Sequence, residues 1–306
     1  MGIKHLKYNQ IDFEKYDICI ENSYNTCIYA YSWYLDIVAE KQWEVLVLGD
    51  YESVMPLPVR KKYFITYVHN PLWVLQLGVF SINETNNNNP FIKKAFSIYK
   101  LIDLRLNIDN KIGGFSEEKT EKQTHFLKLD NYDVIKSNFR SDRKKDLKRA
   151  VKSGLYGKWN DDLKLFLDLF FKNITSRVSS INEKDFNRLQ SIIEICIEKE
   201  KGELLSVFDE NNNLVASGFF LKHNKKITIL VSTTDLKNRK NGANTYLIDQ
   251  AIKKYLSNYK VFNFGGSSIK SIANYFLSFG AKENMYYQIN YNNLPLLYKI
   301  IKSLKK

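Results

Sequence analysis

The chain has 306 residues, 44% of them hydrophobic and 26% charged, with 46 Lys and Arg against 33 Asp and Glu and a formal net charge of +13. That length accommodates two domains, and that composition excludes disordered, collagen-like and coiled-coil chains. No run of about 18 apolar residues occurs, and the opening stretch MGIKHLKYNQIDFEKYDICI lacks the apolar core of a signal peptide, so a cytoplasmic location without a membrane span is expected.

From Trp43 the sequence reads WEVLVLGDYESVMPLPVRKK, two strands around a tight polar turn. The polar run NETNNNN at 83–89 is an expected exposed loop. A helix over 91–99 then leads into a strand that begins Tyr99-Lys100-Leu101-Ile102-Asp103-Leu104. The densest charge lies at 136–158, where nine basic residues stand against Asp142 and Asp146. As a helix over 141–153 this segment sets Leu147, Ala150 and Val151 on one face and Arg143, Lys144, Lys145, Lys148 and Arg149 around the rest. Helices are predicted over 163–172 and 183–199, the second with a core stripe of Phe186, Leu189, Ile192, Ile193, Cys196 and Ile197. The stretch ELLSVFDENNNLVASGFFLKHNKKITILVST from Glu203 predicts a three-stranded meander, followed by a helix over 243–256 and a strand that begins Tyr259-Lys260-Val261-Phe262-Asn263-Phe264. A further helix is expected over 269–279. The stretch LPLLYKIIKSLKK at 294–306 has a short basic amphipathic pattern, suited either to packing through Leu297, Ile300, Ile301 and Leu304 or to an anionic lipid surface.

The two hairpins start at 43 and 203 and the two strands at 99 and 259, so both separations are 160 residues. A diverged tandem duplication produces such an offset, and it predicts that 43–104 and 203–264 share one strand order. The expected architecture is α+β, with mixed, largely antiparallel sheets flanked by helices, and the expected domains are 1–130 and 131–306. The charge divides unevenly between them. Residues 1–130 hold 15 Lys and Arg against 16 Asp and Glu, whereas 131–306 hold 31 against 17, which points to an anionic partner for the second half.

Three scattered cysteines (Cys19, Cys27, Cys196) form no disulfide framework or CxxC pair, and four isolated histidines give no zinc or triad spacing, so no metal is expected. Two segments are suited to anions. Ser232, Thr233 and Asp235 end the meander, and Arg239, Lys240, Asn241 and Gly242 lead into a helix whose first N-H groups are unpaired. The strand ending Phe264-Gly265-Gly266-Ser267 places two glycines before hydroxyls, which permits positive φ or the close approach of a ligand; an ordinary tight turn is the competing reading.

Several stretches, taken in order, resemble the Fem-type branch of the GNAT acyltransferase superfamily, which includes peptidoglycan aminoacyltransferases. They are Tyr31-Ser32-Trp33-Tyr34-Leu35-Asp36, Met55-Pro56-Leu57-Pro58-Val59-Arg60, Gln76-Leu77-Gly78-Val79-Phe80, the basic segment 143–154, Phe264-Gly265-Gly266-Ser267 and Ser278-Phe279-Gly280-Ala281-Lys282. The resemblance spans nearly the whole chain and implies two tandem GNAT-like domains. It also implies transfer of an activated acyl group from acyl-CoA or aminoacyl-tRNA, as co-substrate rather than resident cofactor, to an amine acceptor such as a nucleotide- or lipid-linked cell-envelope precursor. Two positions depart from the pattern: Asn244 stands where the phosphate loop commonly has Gly or Ala, and Asn263 where the strand often has Asp.

On this reading Asp235 and Tyr246 are the candidate catalytic residues. Trp33, Arg60, Arg143, Arg149 and Ser267 are candidate substrate-binding residues, with Tyr287 a further candidate aromatic. Ser232, Thr233, Arg239, Asn241, Gly242, Gly265 and Gly266 are candidates for the donor. Partners under consideration are tRNA, the amine acceptor and, peripherally, a membrane. The rival reading is a non-catalytic RNA- or nucleotide-binding protein on a decayed transferase scaffold, using the basic helix for phosphate contacts.

Overall fold

The computed structural model describes residues 2–62, 64–175, 181–266 and 269–295, apart from the side chains of Thr175, Asn238 and Arg239. The chain divides into two compact units, one running to Lys122 and resuming at Met285, the other Gln123–Asn284. Sequence alone predicts domains 1–130 and 131–306, with one boundary between them.

The first unit contains β1 (Lys4–Leu6), α1 (Phe13–Asn22), α2 (Ser32–Val38), β2 (Trp43–Leu48), β3 (Ser53–Lys62), β4 (Ile65–His69), β5 (Phe80–Ser81), α3 (Asn89–Ile98) and β6 (Leu101–Arg105). Then come β7 (Lys119–Lys128), α4 (Tyr132–Ser137), α5 (Ser141–Lys152), β8 (Tyr156–Trp159), α6 (Leu163–Thr175) and α7 (Glu183–Glu198). The chain continues with β9 (Gly202–Phe208), β10 (Leu214–His223), β11 (Lys226–Thr234), α8 (Ala243–Tyr255), β12 (Val261–Asn263), α9 (Lys270–Leu277) and β13 (Lys282–Asn292).

The two units repeat one topology. In the first, the order is β1-β2-β3-β4-β6-β13, with β4 and β6 parallel and every other neighbour antiparallel; β5 adds to β3. In the second, the order is β8-β9-β10-β11-β12-β7, with β11 and β12 parallel and the rest antiparallel. The parallel pairs correspond closely: Val68 faces Ile102 in one and Ile227 faces Phe262 in the other. The strand order required by the 160-residue offset is therefore present, as are the expected mixed sheets flanked by helices. The sixth strand of each unit comes from the other half of the chain. β13 follows β12 in sequence but pairs with β6, whereas β7 follows β6 but pairs with β12.

Local sequence explains the elements that frame the second unit. Asn182 caps α7 by accepting from the Asp185 N-H at 3.2 Å, while the Asp185 carboxylate accepts from the Asn182 N-H at 3.1 Å. Phe186, Leu189, Ile192, Ile193 and Cys196 are buried along one side of α7, but Ile197, counted in the same stripe, is 42% exposed. The core over the sheet collects Phe220, Phe262, Leu247, Ala251 and Ile252. Among the described residues no helix is long and apolar enough to cross a membrane, and no group of three or more His, Cys, Asp or Glu is placed to hold a metal.

Helix α5 is bound to the start of α8 by contact that only glycine permits. Gly242 has φ +87°, and a Cβ built there would collide with the Asp146 carbonyl oxygen and stand 2.9 Å from the carbonyl carbon. Gly242→Ala should therefore lose about 1–2 kcal/mol to the left-handed backbone and about 1–3 kcal/mol to overpacking, read as a lower urea midpoint with unchanged m-value. A second expectation concerns acid. Glu203 on β9 accepts from Tyr255 Oη at 2.7 Å and lies 3.5 Å from Lys222 Nζ and 3.3 Å from Lys254 Nζ. Burial acts to raise its carboxyl, but Tyr255 and the two lysines outweigh it and hold it below the usual glutamate value. Such a group stabilises the fold above its unfolded value near pH ~4.3 and loses that contribution as pH falls through the folded value. Glu203→Gln should be less stable at pH 7 and show a flatter acid limb in denaturant melts from pH 7 to pH 3.

Candidate functional site

Strand β11 pairs with β10 along its length, from Lys226 opposite His223 to Thr234 opposite Ala216, yet meets β12 only over Lys226–Thr228 against Val261–Asn263. Leu230 bulges from the β10 ladder, with Ile229 opposite Phe220 and Val231 opposite Phe219. A bulge of this kind bends and re-aims a strand. Past Thr228 the parallel strands part, and the opening lies at their carboxyl ends, where open α/β sheets take their ligands.

A cavity of about 720 Å³ occupies the opening. β11 from Ile229 to Thr234 forms one side; Phe170, Asn173 and Ile174 of α6, Asn244 and Ile248 of α8, Phe264, and Ile272, Tyr275 and Phe276 of α9 form much of the rest. Among the described residues that line it, none carries a formal charge. Asn173 Nδ2 donates to Thr233 Oγ1 at 2.8 Å and to the Thr234 carbonyl at 3.0 Å, which holds α6 over the end of β11. Opposite, α8 begins after Gly242 with the Asn241 side chain accepting from the Ala243 N-H at 3.0 Å. Asn244, in the first turn of this 13-residue helix, lines the cavity, so the positive end of α8 is directed toward it.

The turn after β12 is fixed by its own side chain. Asn263 Oδ1 accepts from the Gly265 N-H at 2.8 Å and from Thr124 Oγ1 at 3.1 Å, and Gly265 takes φ +78°. An amide oxygen fills this role as well as a carboxylate would, which accounts for Asn263 without assigning it a catalytic proton. Beside this turn His125 is fully buried, and neither ring nitrogen has a hydrogen-bond partner among the described residues. Its Nε2 is 3.8 Å from Glu283 Oε1, and its ring is 5.6 Å from that of Phe276.

A polar network ties the cavity to the basic helix. The Arg143 guanidinium lies 2.7 Å from Asp146 Oδ2, donates to Thr245 Oγ1 at 2.8 Å and sits 4.7 Å over the Tyr275 ring. Thr245 Oγ1 donates to Asp146 at 3.0 Å and is 3.3 Å from Tyr275 Oη. Burial pushes the Tyr275 phenol up to about 12, against the lowering effects of Thr245 and Arg143, so it keeps its proton at neutral pH.

Of the residues singled out from sequence, Ser232 and Thr233 line the cavity. Gly242, Gly265 and Asn241 shape its rim through the turns described above, and Gly266 follows Gly265. Arg143 is directed into the protein, while Arg149 pairs with Asp146 yet stays half-exposed. Asp235 follows Thr234, its N-H donating to the Val215 carbonyl at 2.9 Å, and Tyr246 packs against the core; neither is among the lining residues. Burial raises the Tyr246 phenol, and the Asp249 charge adds to the effect. Trp33, Arg60 and Tyr287 belong to the first unit: Trp33 stacks on Tyr31 on α2, Arg60 lies at the outer end of β3, and Tyr287 on β13 carries Lys119 Nζ 4.6 Å from its ring centre. Ser267, the Arg239 side chain and the segment from 296 onward lie outside the described residues. Asn173, Tyr275 and Phe276 were not anticipated; each sits in a helix whose sequence reads as amphipathic packing, and only the cavity distinguishes them.

No protein-family model matches the chain, and neither does any curated protein sequence. Solved structures do. The crystal structure of FemX superposes with a TM-score of 0.67 at 14% identity, covering 98% of this chain and all of that one (100%). The C-terminal domain of a putative lysylphosphatidylglycerol synthetase from Agrobacterium fabrum gives 0.57 at 10% identity, covering 96% of each chain. A tandem GNAT protein from the clavulanic acid biosynthesis pathway gives 0.52 at 8% identity, covering 94% of this chain and 98% of that one. The chain thus has a Fem-like, GNAT-related acyltransferase fold built from two tandem units.

Proposed function

We propose that the protein is an N-acyltransferase that moves an activated acyl group onto an amine acceptor, with the acyl carbonyl held along the free edge of β11. The supporting observation is the uncharged, largely apolar cavity where β11 and β12 part, with peptide groups along one side and a helix amino end along another. The acceptor nitrogen attacks the carbonyl carbon, a C-N bond forms, and the bond from that carbon to the donor's sulfur or oxygen breaks. Catalysis of such a step rests on positioning and on N-H or O-H donors aimed at the developing oxyanion. Tyr275, protonated at neutral pH, acts as a donor. We assign the amine's proton to Asp235, the carboxylate that follows Thr234, and Asp235→Asn should lower kcat by roughly 10²-fold with donor KM unchanged.

Charge favours a large anionic donor. Helix α5 turns Arg143 inward but leaves Lys144, Lys145, Lys148, Arg149 and Lys152 exposed, on the same helix that braces Gly242. More cation than one small cofactor needs supports aminoacyl-tRNA as donor, and a phosphate-bearing cell-envelope precursor as acceptor. The test gives the purified protein charged tRNAs and, separately, acetyl-CoA, with amine acceptors at low and moderate salt. Transfer from charged tRNA, falling steeply with salt and lost in Ile229→Lys, is the expected result. Transfer from acetyl-CoA alone would move the donor to a small thioester, and no acyl transfer from either would overturn the reading.

A further inference from the structure

Strand β3 leaves the sheet of the first unit before it ends. Its ladder with β2 stops at Trp43 opposite Pro58, with one more bond from the Val59 N-H to the Gln42 carbonyl at 2.9 Å, but it continues to Lys62, and among the described residues 60–62 pair with β4 alone. The first seven residues of β3 are buried and the last three, Arg60, Lys61 and Lys62, are exposed. The result is a two-stranded ribbon reaching past its neighbour. At its tip, in the two-residue connection between the register partners Lys62 and Ile65, Phe64 is 93% exposed. Phe64 also takes φ +63°, a backbone state that two-residue hairpin loops normally give to Gly or Asn. Neither folding nor solubility accounts for a bare aromatic ring there. Lysines alone would guard a protruding edge against unwanted pairing, and the phenylalanine works against that purpose.

Cations collect at the root of the ribbon. Lys7, Lys41, Arg60 and Lys61 line a cleft of about 370 Å³ walled by Tyr8 and Trp43. Glu44, also on its wall, is occupied by Lys7 at 2.8 Å and His5 at 2.5 Å and by Tyr99. We infer that this ribbon docks the protein on an anionic lipid bilayer, Phe64 entering the interfacial region while Arg60, Lys61 and Lys41 meet lipid phosphates. The charge complements such a surface, and the exposed Phe64 ring beside these cations suits insertion, whereas stacking on a nucleobase needs a ring laid along a groove. The inference is independent of the catalytic reading, because it concerns residues of the first unit alone.

The full chain would be sedimented with vesicles of phosphatidylcholine, either alone or mixed with phosphatidylglycerol. Binding to the mixed vesicles only is expected. Phe64→Asn, which places a favoured turn residue at positive φ, should melt no lower than the parent and bind about tenfold more weakly. Lys61→Gln should weaken binding about fivefold and reduce its salt dependence. Equal binding by the parent and Phe64→Asn, or equal binding to neutral vesicles, would overturn the inference. So would a protein that ignores both vesicles yet binds single-stranded RNA through Phe64, which would assign the ribbon to nucleic acid.

Discussion

The account depends on one feature of strand pairing: β11 and β12 share three registered pairs and then separate. Parallel strands joined by a helix need not stay paired to their ends, and here the bulge at Leu230 turns β11 while Asn263 and Gly265 turn the chain away from β12. Everything around the cavity serves that separation. Helix α6 is tied to the loose end of β11 by Asn173, α8 begins beside it, and α9 closes the far side with Tyr275 and Phe276. The first unit has the same strands in the same order but no such freedom beyond its parallel pair. There β4 stops at His69, and the segment after it fills the edge of β6: Asn70 Oδ1 accepts from the Arg105 N-H at 3.2 Å, and the Leu77 N-H donates to the Arg105 carbonyl at 2.8 Å. One copy of the fold has its crevice occupied by its own chain, and the other keeps it open.

Helix α5 shows how one element takes two duties. Its inward face is structural: Asp146 is buried between Arg143, Arg149 and Thr245, and the backbone at Asp146 fits against Gly242. A carboxylate so placed is tolerated because charged and hydroxyl partners satisfy it. Its outward face is cationic and solvated. Arg143, one of the two α5 arginines that sequence alone makes candidate substrate ligands, is 13% exposed and engaged by two carboxylates, so Arg149 and the lysines carry the outer charge.

Much of the fold was legible because hydrophobic period and turn chemistry are local. The hairpin from Trp43, the meander from Glu203 and the helices α5, α7 and α8 followed from them, and the constant offset of 160 residues carried the tandem architecture. The exchange of sixth strands was not legible. β7 reads KTEKQTHFLK and β13 reads KENMYYQINYN, polar runs without clean alternation, and their partners are set by tertiary pairing rather than by neighbours in sequence. The candidate site was legible in part. Gly242 and Gly265 announce positive φ, and Ser232 and Thr233 end a strand, whereas Asn173 and Tyr275 gain significance only from the cavity. His125 shows the same limit: isolated in sequence, it is packed beside the turn that ends β12.

The central claim is that the parted edge of β11 receives the acyl donor, and amide hydrogen exchange with and without a non-reactive donor analogue tests it most directly. Binding there should slow exchange in the segment 229–234 and in the first turn of α8, while β2 and β3 exchange as before. Saturating analogue that leaves 229–234 unchanged and protects another part of the chain would contradict the account.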